Sequence, residues 1–225
     1  MNWFGFRCIV CHRSLAIPSH GICSYCHREI KRFNYCGCCG AQLPINTLHC
    51  GNCLRNMPSW HRMVIIGSYQ PPLSILIHQF KFQDSFHFDR TLVRLLFLAI
   101  REARCSHALP MPEVILPVPL HHLRQWQRGY NQADLLAQQL AKWLSIPYDN
   151  QLLKRIKHTH TQRGLTAIAR RKNLLNAFCI NKVCHYKSVA LVDDVITTGA
   201  TLNEIAKLLK GYGVEHIQVW GLARV

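Results

Sequence analysis

Acidic residues are scarce in this chain of 225 residues, which holds 11 Asp and Glu against 27 Lys and Arg and carries a formal charge of +16. That shortage directs attention to a polyanionic partner or substrate. Between Asp149 and Asp193 there is no acid at all, although nine Lys and Arg residues lie in the same interval. Long apolar runs are missing too: the one at 95–100 falls far short of the ~20 residues needed to cross a bilayer. The opening MNWFGFRCIVCHRSL is interrupted by Arg7, His12, Arg13 and two cysteines, so it does not read as a signal peptide. A cytoplasmic protein without membrane insertion is expected. With 49% apolar and 17% charged residues, the composition also excludes a disordered chain.

Cysteine is nearly absent after residue 53, because nine of the twelve lie before that point. Eight of those nine form C-x-x-C pairs: Cys8 and Cys11, Cys23 and Cys26, Cys36 and Cys39, Cys50 and Cys53. In a reducing compartment this pattern reads as two tetrahedral Zn²⁺ sites, since each tight turn supplies two thiolates and two turns complete a site. Sequential pairing is expected, with Cys8, Cys11, Cys23 and Cys26 on one ion and Cys36, Cys39, Cys50 and Cys53 on the other; interleaved pairing is the alternative. Cys38 is then a spare and His49 a neighbour. Eight thiolates on two Zn²⁺ ions still leave a charge of roughly +12. Segments this short need the metal for folding energy. Trp3, Phe4, Phe6, Tyr25, Phe33, Tyr35 and Trp60 stand among Arg7, Arg13, Arg28, Lys31 and Arg32, a mixture that suits stacking of single-stranded nucleic acid or packing against a core.

After Pro58 the composition shifts, which places a small module at 1–57 and a main domain at 58–225. Strand patterns at 64–69, 113–119, 153–157, 188–192 and 216–219 alternate with helical spacing around Leu73, Leu76, Ile77 and Phe80, then around Leu92, Leu95, Leu96 and Ala99. Further helices are expected over 131–144 and 202–210, the last opened by a capping box from Thr201 to Glu204. The alternation predicts an α/β fold with a mostly parallel sheet.

One stretch carries the chemistry: VALVDDVITTGAT at 189–201. An apolar strand delivers Asp193 and Asp194 to its carboxyl end, where α/β sheets bind ligands. Thr197, Thr198, Gly199, Ala200 and Thr201 then lead into a helix, whose N-terminal N–H groups suit a phosphate. Carboxylates would repel that anion unless they face sugar hydroxyls or a metal, and a ribose 5-phosphate meets both demands.

The stretch resembles the phosphoribosyl pyrophosphate (PRPP) motif of type I phosphoribosyltransferases. PVPLHHLRQWQRGYNQADLLA, THTQRGLTAIARRKNLLNAF and the four cysteine pairs extend the resemblance over nearly the whole chain, to the ComF/GntX family of competence proteins. The resemblance implies a type I phosphoribosyltransferase-like sheet flanked by helices, behind a double zinc ribbon. It implies ribose contacts for Asp193 and Asp194, a 5-phosphate site at 197–201, pyrophosphate contacts from Arg124 and Arg128, and Mg²⁺ accompanying PRPP. A loop at 159–175, with Gln162, Arg163, Gly164 and Leu165 at its centre, would close over the ligand. The implied function is a role in DNA uptake and transformation, with phosphoribosyl transfer to an acceptor the sequence does not name. The alternative is a non-catalytic single-stranded DNA-binding or adaptor protein on the same fold.

Overall fold

A computed structural model describes residues 6–17, 20–82, 87–120, 129–157 and 176–225. Two short helices, α1 (Ser24–Arg28) and α2 (Gly51–Arg55), precede β1 (Arg62–Ser68), α3 (Leu73–Phe82) and α4 (His87–Ser106). Then come β2 (Val114–Pro117), α5 (Gln132–Leu144), β3 (Leu153–Arg155), β4 (Phe178–Ile180), β5 (Ser188–Ile196), α6 (Ala200–Gly211) and β6 (His216–Arg224).

Four strands form a parallel sheet in the order β1-β6-β5-β2, and β3 pairs antiparallel with β4 in a separate hairpin. The period of two along each strand divides the core between the two faces of the sheet. Val64, Ile66, Ala190, Val192 and Trp220 face one cluster, built with Leu76 of α3, Leu95 of α4 and Leu136 of α5. Met63, Ile65, Val189, Leu191 and Val219 face the other, built with Leu202, Ile205 and Leu209 of α6. The helices after neighbouring strands β2 and β5 therefore lie on opposite faces. Between such strands a crevice opens at their carboxyl ends, the usual ligand position of an open α/β sheet.

The cysteine-rich segment is built twice. Arg7 bridges Ser14 around the first knuckle, and Tyr35 bridges Gln42 around the third. His12 and Gly40 hold the same left-handed position after each turn, at φ 58° and 71°. Cys23 and Cys50 occupy the N-caps of α1 and α2, each with its backbone N–H directed at the first sulfur of its own unit. Cys8, Ile22 and Cys26 of the first unit join the core on one face of the sheet, whereas Cys36, Cys38 and Cys53 of the second form a small cluster of their own, beside Phe33 and Tyr35, which pack on the other face. The outer edge of β1 is covered by the two units, since Met63 N–H donates to Gly37 O at 2.7 Å and Ser68 N–H to Lys31 O at 3.0 Å. An otherwise open sheet edge is thereby closed.

Two expectations need correction, and one strand is additional. The strand assigned to 188–192 runs on to Ile196, so the aspartates lie within it. Helix α6 begins at Ala200 with Gly199 as its N-cap and no side-chain cap, so the Thr201–Glu204 box does not form; Glu204 pairs with Lys207 at 3.2 Å instead. Strand β4 was not anticipated, because three residues leave too little alternation to read.

Candidate functional site

At the carboxyl ends of β2 and β5 lies a cleft of about 210 Å³, lined by Lys81, Val118, Pro119, Asn131, Arg155, Asp193, Asp194 and Thr201 among others. It occupies the crevice that the topology predicts. Asp193 and Asp194 both reach it from β5. The Asp194 N–H donates to Asp193 Oδ1 at 2.8 Å, and Lys81 Nζ sits 2.8 Å from Asp194 Oδ2. Burial first, and the adjoining Asp194 carboxylate second, push Asp193 up to about 7, against the opposing pull of Lys81 and Arg155. A carboxyl in that position gains from any ligand that hydrogen-bonds or neutralises it.

The following loop turns sharply. Gly199 holds φ at +71°, a left-handed conformation that costs side-chain-bearing residues, and the ring of Trp60 lies directly over its Cα hydrogen. A methyl group there would meet Trp60 Cη2 at 2.8 Å. The Ala200 N–H donates to Thr198 Oγ1 at 3.3 Å, while the Asn203 N–H donates to Gly199 O and closes the first helical turn. Thr197 and Thr198 are exposed, and Thr201 faces the cleft. The loop and the N-terminal end of the twelve-residue α6 thus present N–H and hydroxyl groups beside the carboxylates.

Across the cleft, Asn131 holds the β2 side in place. Its Nδ2 donates to Val118 O at 3.1 Å, and its Oδ1 accepts from Ala133 N–H at the N-cap of α5. Tyr130 ties the same turn to α3 through a 2.6 Å bond from its hydroxyl to Phe80 O. The neighbouring Arg124 and Arg128, and the closing loop expected at 159–175, lie outside the described residues. Lys81 and Arg155 are the cations brought to the cleft among the described residues, and neither stands out as a site residue in the sequence. Lys81 hides at the last turn of an amphipathic helix, and Arg155 sits in a three-residue strand. Neither position carries a motif.

The eight paired cysteines gather in the sequential order, as Cys8, Cys11, Cys23, Cys26 and as Cys36, Cys39, Cys50, Cys53, with all sulfurs of a group within 4.8 Å of one another. Cys11 and Cys23 are 3.6 Å apart, Cys39 and Cys50 3.7 Å, and Cys36 and Cys53 3.9 Å. A Zn–S bond of about 2.3 Å gives a tetrahedron whose edge is about 3.8 Å, so these spacings fit a zinc site made of four thiolates. Burial opposes ionisation of Cys8, but backbone N–H groups of Cys23, Cys11 and Val10 outweigh it and bring the thiol down to about 6. Cys50 comes down to about 7 by the same balance, chiefly through the Cys53 N–H. Cys26 and Cys53 move up, through burial and then the adjoining sulfurs. Four facing sulfurs cannot all ionise without a cation between them. His49 stands outside both groups, and burial raises the spare Cys38 to about 11.

The aromatics of this segment divide. Phe33 and Tyr35 pack against the sheet and Trp60 is buried, whereas Phe6 and Tyr25 are exposed, with the Arg13 guanidinium 5.2 Å above the Tyr25 ring. Trp3 and Phe4 lie outside the described residues. Among the described residues no helix is long and apolar enough to cross a membrane.

Residues 131–224 match the phosphoribosyl transferase domain family, a span that includes β5, the loop and α6. Over its full length the chain is 61% identical to Competence protein F of Haemophilus influenzae, covering 99% of that protein. It is 43% identical to the DNA utilization protein YhgH of Salmonella typhi, over 96% of each chain. Similarity extends to Competence protein ComFC of Bacillus subtilis, at 25% identity over 85% of this chain and 79% of that one.

Proposed function

The chain belongs to the ComF family of competence and DNA utilization proteins with a phosphoribosyltransferase-like sheet, and from that premise we propose that it acts in the use of incoming DNA through a cleft that binds PRPP or a closely related phosphoribosyl ligand. The observation that carries this reading is the placement of Asp193 and Asp194 beside a loop that turns at Gly199 into the N-terminus of α6.

In this reading the 5-phosphate sits on the N–H groups and hydroxyls of residues 197–201, and the ribose hydroxyls meet Asp193 and Asp194. The ligand's diphosphate extends toward Lys81 and Arg155, with Arg124 and Arg128 completing that end. In the free protein Asp194 neutralises Lys81; a diphosphate competes for the same ammonium and leaves Asp194 to the sugar. Mg²⁺ belongs to the ligand here rather than to the protein, because the carboxylates that line the cleft among the described residues are Asp193 and Asp194, and Asp194 is already paired with Lys81. If transfer occurs, the two carboxylates stabilise the electron-poor sugar as pyrophosphate leaves, and the cations take up the leaving charge. The division into an N-terminal module at 1–57, holding two structural Zn²⁺ ions, and a ligand-binding domain at 58–225 is part of the same proposal, as is a cytoplasmic location.

Calorimetric titration with PRPP and Mg²⁺, set beside ribose 5-phosphate and pyrophosphate alone, tests the assignment. PRPP should bind more tightly than either fragment. Equal and weak binding of all three would remove it. Release of pyrophosphate in the presence of bases, nucleotides or single-stranded DNA decides between transfer and binding alone.

A second reading concerns the other surface. The exposed Phe6 and Tyr25 beside Arg13 provide flat, cationic ground on which single-stranded DNA can stack. The excess of 27 basic over 11 acidic residues favours the same partner. Binding that weakens steeply with salt is expected, and no binding at low salt would exclude it.

A further inference from the structure

Trp60 stands between the second cysteine group and the phosphate loop and touches both. Its side chain is almost fully enclosed, at 4% exposure. At one end the indole Nε1–H donates to Cys38 O at 2.7 Å, a carbonyl inside the knuckle formed by Cys36 and Cys39. At the other end the ring edge covers Gly199, so closely that a Cβ on that residue would be 2.8 Å from Cη2. Ser59 reinforces the contact, since its N–H donates to Asn203 Oδ1 in the first turn of α6 at 2.9 Å. The first cysteine group is placed differently. Cys8 and Cys26 pack into the opposite core, and Gly21 between them abuts Thr91 of α4.

We propose that Trp60 is a positioning residue for the loop at 197–201, and that through it the loop's affinity for its ligand depends on metal in the second cysteine group but not in the first. The inference rests on reading that loop as the phosphoribosyl site. The physical chain is short. A metal ion held by Cys36, Cys39, Cys50 and Cys53 fixes the knuckle, the knuckle fixes the Cys38 carbonyl, and that carbonyl fixes the height of the indole over Gly199. Gly199 is the point where the loop must hold a left-handed turn, so small displacements there move the N–H groups that face the ligand. Without the ion, nothing bonds the four sulfurs to one another, and the knuckle that carries the Cys38 carbonyl is free to relax. Coupling between two sites is reciprocal, so ligand on the loop must also slow metal loss from the second group.

The test uses the full chain loaded with zinc and four variants: Trp60→Phe, which keeps a ring but removes the N–H donor, Trp60→Leu, Cys50→Ser and Cys23→Ser. Three quantities are followed: PRPP affinity by calorimetry, zinc release to a chromophoric chelator with and without PRPP, and amide exchange across 197–203. In the wild type, PRPP should slow release of one of the two equivalents at least about fivefold. Trp60→Phe should keep both zinc ions and a cooperative melt, bind PRPP at least about fivefold more weakly, and lose the effect on zinc release. Cys50→Ser should increase exchange across the loop, whereas Cys23→Ser should leave it unchanged. Wild-type affinity in both Trp60 variants, or equal loop exchange in the two cysteine variants, would overturn the proposal. A wild type that binds no PRPP would count against the phosphoribosyl reading alone, because the exchange comparison judges the coupling without ligand.

Discussion

Replacing Asp193 with Asn should make the ligand-free protein more stable above neutral pH. Asn is nearly isosteric and keeps an oxygen to accept from the Asp194 N–H, so the local geometry survives. What changes is the charge. The carboxyl rises from 3.8 to about 7, because burial and Asp194 both oppose its ionisation. At about 1.4 kcal/mol per unit, that interval caps the cost of an ionised Asp193 at ~4 kcal/mol. Water still reaches part of the side chain, so a gain of about 1–3 kcal/mol is the working figure for the variant. The sign follows from proton uptake: with its folded value raised, Asp193 favours folding below its unfolded value near 4, and that advantage is lost as pH climbs through about 7. The Asn variant should therefore gain fully above about pH 7 and progressively less down to pH 5. For a chain of this size each kcal/mol moves the melting temperature by about 2–4 °C. Thermal melts of both proteins between pH 5 and 8.5 measure it, with PRPP titration alongside. A variant no more stable than wild type at pH 8, or a gap that does not change with pH, would show that Asp193 imposes no such cost on the fold. The variant should also bind PRPP worse, since strain relieved by the ligand is typical of a binding site.

Four other outcomes are expected. Gly199→Ala should cost about 1–2 kcal/mol for the left-handed backbone, plus displacement of the Trp60 ring; denaturant unfolding of this variant with and without Trp60→Leu separates the two contributions, since only the ring contact can be relieved. Elemental analysis should find two zinc ions per chain, still two in Cys38→Ser and one in Cys36→Ser. Lys81→Ala should weaken PRPP binding by about 1.5–3 kcal/mol, the usual worth of a charged hydrogen bond, with a smaller effect on ribose 5-phosphate. Phe6→Ala with Tyr25→Ala should reduce single-strand DNA binding by about 1–3 kcal/mol per lost stack without changing PRPP affinity, as measured by fluorescence anisotropy and calorimetry.

Sequence spacing was informative wherever one physical demand governs a contiguous segment. Thiolate pairs at C-x-x-C spacing are such a case, because each turn must deliver two sulfurs to one point, and the two groups assemble in sequential order. The strand, turn and helix at 189–211 are another, since apolar alternation, paired acids and a glycine stand next to one another in the chain. Lys81 was illegible for the opposite reason. Its meaning depends on Asp194, more than a hundred residues away, and a lysine at a helix end is ordinarily just a favourable dipole contact. In the sequence Trp60 is one aromatic among several, because the partners that give it a role, Cys38 and Gly199, come together only after the sheet forms. The Thr201–Glu204 pattern failed because Gly199, buried under Trp60, takes the N-cap two residues earlier than the motif assumes. Local rules give way where tertiary contact fixes the backbone.

The aspartates of β5 and the loop after them are proposed to form one phosphoribosyl site. Calorimetric titration of PRPP with Mg²⁺ into the wild type and into Asp193→Ala plus Asp194→Ala tests it directly. Saturable binding near one ligand per chain, lost in a double variant that still melts cooperatively and retains its zinc, is the predicted result. Binding of equal strength in both proteins would contradict it.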